Sequence, residues 1–185
     1  MNLLHLDSSI LGDASVSRRL TRALVDQLRA ENPGVAVTYR DLAADALPHL
    51  SAAALAQPND ALIDELMAAD VLVIGAPMYN FAIPTVLKAW IDRVAVAGKT
   101  FKYTEAGPQG LVGARKAYVV ATSGGEYGGT PVATMHVGYL KQLLGFIGVA
   151  DVEVIAAEGL ALPQRRDAAL ARAQAQIASL QLEAA

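Results

Sequence analysis

A chain of 185 residues, 54% hydrophobic and 18% charged with a formal net charge of -3, is long enough to bury a continuous sheet core in one domain spanning residues 1–185. It is too apolar to be disordered and has no basic excess to address nucleic acid. It contains no cysteine, which excludes disulfide frameworks, thiolate metal sites and cysteine nucleophiles. Asp7 interrupts the first apolar run too early for a secretory signal, and the stretch from Val71 to Ile91 carries two prolines and Lys88. Neither export nor a membrane span is expected, and the cytoplasm is the expected compartment.

Asn2 to Leu6 reads as a buried first strand. A serine-rich loop, Asp7 to Ser17, leads into a helix reaching about Ala30. Val16, Leu20, Ala23, Leu24 and Leu28 form its inward stripe, and Arg18, Arg19, Arg22 and Arg29 stay outside. Asn32-Pro33-Gly34 ends it. Val35 to Arg40 alternates apolar with polar residues, as a strand with one wetter face or an edge position does. Asp41 to Asn59 is the least regular region, with a short helix over Ala52 to Ala56, and Asp60 to Ala69 is helical. Val71-Leu72-Val73-Ile74-Gly75 is β-branched-rich with no alternation, hence a strand buried on both faces of a parallel sheet. Pro84 then opens a helix with Val86, Leu87, Trp90, Ile91 and Val94 at helical spacing, which Gly98 closes. Phe101 to Val112 is a small excursion, a hairpin around Glu105-Ala106-Gly107-Pro108. Lys116 to Thr122 is another buried strand. The loop Ser123 to Gly129 follows, then a helix near Ala133 to Ile147, a strand Val152 to Ala157, and a terminal helix from about Arg165 to Leu182.

Five strands alternating with helices predict a doubly wound α/β domain, a parallel sheet with helices on both faces. The strands near Leu3, Val71 and Ala117 are continuously apolar, whereas those at Val35 and Val152 mix in polar residues. This fits the order 2-1-3-4-5, with the mixed strands at the edges and right-handed crossovers. The topological switch then lies between strands 1 and 3, and a ligand belongs beyond their carboxyl ends.

Three loops converge there. Ser9, Ser15 and Ser17 flank a helix N-terminus, where free amides and the macrodipole favour an anion such as phosphate; the simpler alternative is that Ser15 or Ser17 only caps the helix. Met78, Tyr79, Asn80 and Phe81, between Pro77 and Pro84, offer aromatic faces and an amide to a planar, polar-rimmed ring such as a flavin, or else close the loop on themselves. Gly75 with Ala76 leaves room for a close approach to the backbone. Ser123, Gly124, Gly125 and Glu126 open a glycine-rich loop whose amides can reach a ligand, although most such loops are turns. There is no Gly-Lys-Ser/Thr phosphate loop and no dinucleotide fingerprint, so a nicotinamide nucleotide has no dedicated site. His5, His49 and His136 do not form a set, no cluster has metal-ligand spacing, and no metal is expected. Trp90 reads as packing.

With these residues in view, the chain resembles the FMN-dependent NADH-azoreductase family of flavodoxin-like quinone and azo-compound reductases. The matching segments are Ser8-Ser9-Ile10-Leu11, Ser15-Val16-Ser17, Arg40-Asp41-Leu42-Ala43, Ala76-Pro77-Met78-Tyr79-Asn80-Phe81 and Phe101-Lys102-Tyr103-Thr104-Glu105. Gly107-Pro108-Gln109-Gly110-Leu111-Val112 and Leu144-Gly145-Phe146-Ile147-Gly148 complete the set. The resemblance implies an FMN enzyme, homodimeric with the flavin at the subunit interface, that takes electrons from NADH or NADPH and passes them to quinone or aromatic azo acceptors by a ping-pong route. By motif match, Ser9 and Ser15, Val16 and Ser17 would hold the phosphate, Met78 to Phe81 the isoalloxazine, and Ser123 to Glu126 its pyrimidine side. The family commonly reads Ser-Arg-Gly-Gly in that last loop, so no arginine contact carries over to Ser123-Gly124-Gly125-Glu126. The region between Pro48 and Asp60 is also shorter than is usual there. The alternative of another class is a flavodoxin-type electron carrier, which ordinarily needs a strongly acidic docking face.

Overall fold

The computed structural model describes residues 1–180; Leu182 and the end of the 1–185 domain lie outside them. Five parallel strands form the central sheet: β1 (Asn2–Asp7), β2 (Ala36–Asp41), β3 (Val71–Pro77), β6 (Lys116–Thr122) and β7 (Val152–Ala157). The excursion pairs as a separate antiparallel hairpin of β4 (Phe101–Thr104) and β5 (Gly107–Gly110). The sheet order is β2-β1-β3-β6-β7. The expected numbering 2-1-3-4-5 is not matched, because the hairpin supplies the fourth and fifth strands of the chain and stays out of the sheet.

Side chains alternate across the strands into two cores. Leu3, Val71, Val73, Tyr118 and Val120 face α1 (Val16–Glu31) and α7 (Pro163–Ser179) through Leu20, Leu24, Leu28, Ala173 and Ile177. Leu4, Leu6, Leu72 and Ile74 face α3 (Asp60–Ala68), α4 (Thr85–Val94) and the helix before β7, with Trp90 and Leu144 fully inside. A short α2 (Ala52–Ala56) precedes α3. In α1 the inward stripe is shifted from expectation. Ala23 faces solvent, Val25 and Thr21 are buried, and Arg18 is drawn inward because it meets Asp41.

The helix expected over Ala133 to Ile147 comes in three pieces: α5 (Pro131–Ala133), a π-helical turn (Thr134–Gly138) and α6 (Tyr139–Ile147). A π turn takes one residue more than an α turn, and His136 lies within it, buried. At its far end α6 abuts the hairpin backbone to backbone. The Val112 amide donates to the Ile147 carbonyl at 2.9 Å. A Cβ on Gly110 would stand 2.1 Å from the Gly148 nitrogen, and Gly148 itself has φ 115. No helix of the described residues is long and apolar enough to cross a membrane.

Candidate active site

The carboxyl ends of β1, β3, β6 and β7 bring four loops together. After β1, the Ser8 hydroxyl donates to the Gly75 carbonyl at 2.6 Å, which ties the first loop to the third strand. The Ser9 hydroxyl shares a 3.1 Å hydrogen bond with the Tyr79 hydroxyl, and the amides of Leu11 and Ile10 donate to Ser9 Oγ and to the Tyr79 oxygen, each at 3.3 Å. A single 3₁₀ turn over Gly12–Ala14 delivers the chain to Ser15, the N-cap of α1. Its Oγ accepts from the Arg18 amide at 3.3 Å and lies 3.0 Å from Ser17 Oγ, with both side chains buried. The amides of Val16 and Ser17, at the first two helical positions, have no carbonyl within the helix to meet.

This loop is braced from behind. Arg18 forks onto Asp41 with contacts of 2.5 and 2.6 Å and donates to the Ser9 carbonyl at 2.9 Å. The Arg18 hydrogen bond holds the Asp41 carboxyl below its usual range, and Asp41 reciprocally raises Arg18. Beneath the loop, buried Asp7 accepts from Thr21 Oγ1 at 2.8 Å and from the Tyr39 hydroxyl at 3.2 Å, with His5 Nε2 at 3.4 Å. Burial pushes the Asp7 carboxyl up, but the His5 imidazole beside it, the hydrogen bond from Thr21 and the charge of Arg18 bring it below its ordinary value. Burial, with Asp7 and Asp41 nearby, pushes the Tyr39 hydroxyl up to about 12. The room at Gly75 is used by this network and not by a ligand. A Cβ there would lie 2.8 Å from Asp7 Oδ1 and 3.2 Å from the Thr21 methyl.

After β3, the Met78 amide donates to the Thr122 carbonyl at 2.7 Å. Tyr79 and Ala82 then exchange backbone hydrogen bonds of 3.0 and 3.1 Å, so Asn80 and Phe81 are the two residues of a tight reversal. Both have positive φ, 49 and 67 degrees, as a two-residue hairpin turn of the primed kind requires. Phe81 is 51% exposed and meets the Tyr127 ring edge to face at 5.8 Å.

After β6, the glycine loop is zipped to the loop after β7. The carbonyls of Ser123, Gly124 and Gly125 accept from the amides of Leu160, Ala161 and Gly159 at 3.0, 3.0 and 2.9 Å. The Glu158 carboxylate accepts from the amides of Tyr127 and Gly128 at 3.3 and 3.0 Å. With its carbonyls engaged on one side, the loop turns toward the other loops.

Between them lies a cavity of about 280 Å³, walled by Ser9, Ser15 and Val16 from the first loop, Met78 and Tyr79 from the second, and Ser123 and Gly124 from the third. A wider depression of about 660 Å³ continues from Met78 and Tyr79 past Asn80 to Thr85. Ser17 stands one hydroxyl behind Ser15. Phe81, Gly125 and Glu126 do not wall the first cavity, and the Glu126 carboxylate lies 3.8 Å from Arg165 Nε. The sequence reading did not place Leu11, Ala14, Pro77 or Thr122 in the site, nor Leu160, Ala161 and Arg166 from the region after β7. The signal available for that fourth loop was Gly159 just past the end of a sheet strand. Nothing in the local pattern marked Arg166.

A third, small cavity of about 30 Å³ sits behind the wall, between Met78, Thr122, Ser123, Glu158 and His136. His136 Nε2 has no hydrogen-bond partner among the described residues, and burial lowers its pKa, against smaller opposing effects of the Ala76 backbone and Glu158. His5 and His136 are thus separate buried groups, and His49 is exposed. No group of three His, Cys, Asp or Glu among the described residues is placed to hold a metal.

The flavodoxin-like fold family matches residues 1–180. The FMN-dependent NADH:quinone oxidoreductase 1 of Pseudomonas putida is 54% identical over 197 residues, covering 97% of each chain. The FMN-dependent NADH:quinone oxidoreductase 2 of Pseudomonas aeruginosa is 52% identical over 196 residues, covering 96% of this chain and 97% of its own. Among solved structures, an azoreductase from Bacillus anthracis superposes with a TM-score of 0.85 at 28% identity, over 96% of this chain and 97% of that one.

Proposed function

We infer, from the premise that this chain belongs to the flavodoxin-like family of FMN-dependent NADH:quinone oxidoreductases and azoreductases, that it reduces quinones and aromatic azo compounds with NADH or NADPH as electron donor. The observation that carries this reading is the meeting of the three loops at one cavity. At one end stand two helix-start amides with buried hydroxyls, suited to a phosphate. At the other stand a thioether, a phenol and an amide beside an open depression, suited to a ring.

The residues present fit FMN. The amides of Val16 and Ser17, with the hydroxyls of Ser9, Ser15 and Ser17, would hold its phosphate. Met78, Tyr79, Asn80 and Phe81 would flank the isoalloxazine, and the amides of Ser123, Gly124, Gly125 and Glu126 would face the pyrimidine edge. When bound, the flavin supplies the redox chemistry, taking a hydride equivalent from the nicotinamide and giving two electrons to the acceptor. The protein's part is to bind, orient and polarise. Tyr79, engaged with Ser9 and the Ile10 amide, is a joint between loops and not a free acid. Glu126 would act through its backbone alone, since its carboxylate is turned to Arg165.

The names of the relatives favour an enzyme over a flavodoxin-type carrier. We further propose that the enzyme is a homodimer of the cytoplasm, in which a second copy covers the half-buried line Tyr139, Leu143 and Phe146. With one depression over one face and no dinucleotide fingerprint, donor and acceptor must use the site in turn. Initial rates with menadione at several fixed NADH concentrations should therefore give parallel double-reciprocal lines. Intersecting lines would mean a ternary complex and a separate nicotinamide site, and would overturn this reading.

A further inference from the structure

Among the described residues Arg166 is the one charged residue in the wall of the 280 Å³ cavity, and we propose that it is the counter-ion for the cofactor's phosphate, a role the serine loop has no cation to fill. The inference rests on the proposed FMN site. At neutral pH a phosphomonoester carries close to two negative charges. In the first loop the nearby cation, Arg18, is already committed to Asp41 and to the Ser9 carbonyl. Neighbouring Arg165 stands 3.8 Å from Glu126. Arg166 makes no ion pair among the described residues.

Arg166 is exposed, and one hydrogen bond sets its direction. Nη1 donates to the carbonyl of Leu160 at 2.9 Å, and Leu160 walls the same cavity as Ser9, Ser15 and Val16. One hydrogen bond to a neutral carbonyl leaves the other guanidinium N–H groups free to meet phosphate oxygens. Arg166 also lies in the first turn of α7, and α1 and α7 pack side by side on one face of the sheet through Leu20, Leu24, Ala173 and Ile177. Both helices point their positive ends at the carboxyl edge of the sheet, where the phosphate would sit. The fourth loop, which sequence reasoning left out, thus completes the anion site beside the serines.

The test compares FMN with riboflavin, which lacks the phosphate. Apoprotein of wild type, Arg166→Gln and Arg166→Lys is titrated with each flavin by fluorescence, at low and at high salt. Arg166→Gln should weaken FMN about tenfold at low salt and leave riboflavin unchanged. Arg166→Lys should retain most of the FMN affinity, and the salt dependence of FMN binding should be smaller in Arg166→Gln than in wild type. Equal weakening of both flavins would overturn the proposal, leaving Arg166 as a brace for the Leu160 carbonyl. So would unchanged FMN affinity in Arg166→Gln, or an effect confined to the choice between NADPH and NADH. Wild-type apoprotein that binds neither flavin would instead overturn the parent reading of the site.

Discussion

Ser15 and Ser17 lie 3.0 Å apart and are equally buried, yet their replacement by alanine should have separable effects. Only Ser15 caps α1, accepting from the Arg18 amide at 3.3 Å. Removing a capping hydroxyl costs about 1 kcal/mol, which for a chain of this size lowers the melting temperature by about 2–4 °C. Ser17, whose amide and hydroxyl are proposed to serve the same phosphate, caps nothing. Each hydroxyl, donating to a charged phosphate, is worth about 1.5–3 kcal/mol, a loss of about tenfold to a hundredfold in FMN affinity. Ser17→Ala should therefore bind FMN at least tenfold more weakly while the apoprotein melts close to wild type. Ser15→Ala should lose both affinity and a few degrees. Fluorescence titration of the apoproteins gives the first quantity and differential scanning calorimetry the second. Unchanged FMN affinity in Ser17→Ala would reduce the serines to helix-start structure, and an equal drop in melting temperature for both variants would refute the assignment of the cap.

Gly110→Ala places a methyl 2.1 Å from the Gly148 nitrogen and 2.2 Å from the Ile147 carbonyl carbon; forcing the hairpin off α6 should cost about 3 kcal/mol, whereas Gly34→Ala, with open space around it, should melt like wild type, and matching melts for the two would refute the contact. His136 is held below its ordinary value of 6.5 by burial, so as pH falls through about 6.5 the unfolded chain gains a proton that the folded chain resists, and stability is lost toward acid. In His136→Phe this acid-side loss should shrink, and denaturant melts of the two proteins that run parallel from about pH 8 to pH 5 would contradict it. Light scattering at micromolar concentration should read about twice the 19.3 kDa chain mass, and Leu143→Glu should shift it toward the monomer; a monomeric wild type would remove the second copy from the proposed assembly.

The sheet was legible because its strands differ in kind. The unbroken apolar runs at Val71 and Lys116 occupy the centre, and the mixed runs at Val35 and Val152 take the edges. Helical spacing likewise placed Trp90 and Leu87 in the core. The serine and Met-Tyr-Asn-Phe loops were legible as neighbours because each follows an interior strand of the sheet, and residues of both wall one cavity. What escaped depends on partners distant in sequence. Arg18 looked like an outer residue until Asp41, 23 positions on, drew it in. Gly75 signalled a close approach, but the approaching group is Asp7 and not a ligand. Glu126 was grouped with Ser123 and Gly124, and only Arg165, 39 positions on, reveals which way its carboxylate turns. Arg166 reaches the cavity because α7 begins beside α1, which no local pattern encodes.

The reversal at Asn80 and Phe81 sets stability against the place proposed for the ring beside the isoalloxazine. Asparagine tolerates a left-handed backbone, but a residue as bulky as phenylalanine does not do so freely, at a cost of about 1–2 kcal/mol. A glycine in its place would relax the turn into the Asn-Gly form that such reversals favour. The folded state would gain, while the half-exposed ring that meets Tyr127 would be lost. Phe81→Gly is therefore a route to a longer-lived scaffold without the ring proposed to flank the isoalloxazine, and a screen for thermal tolerance alone would favour that loss.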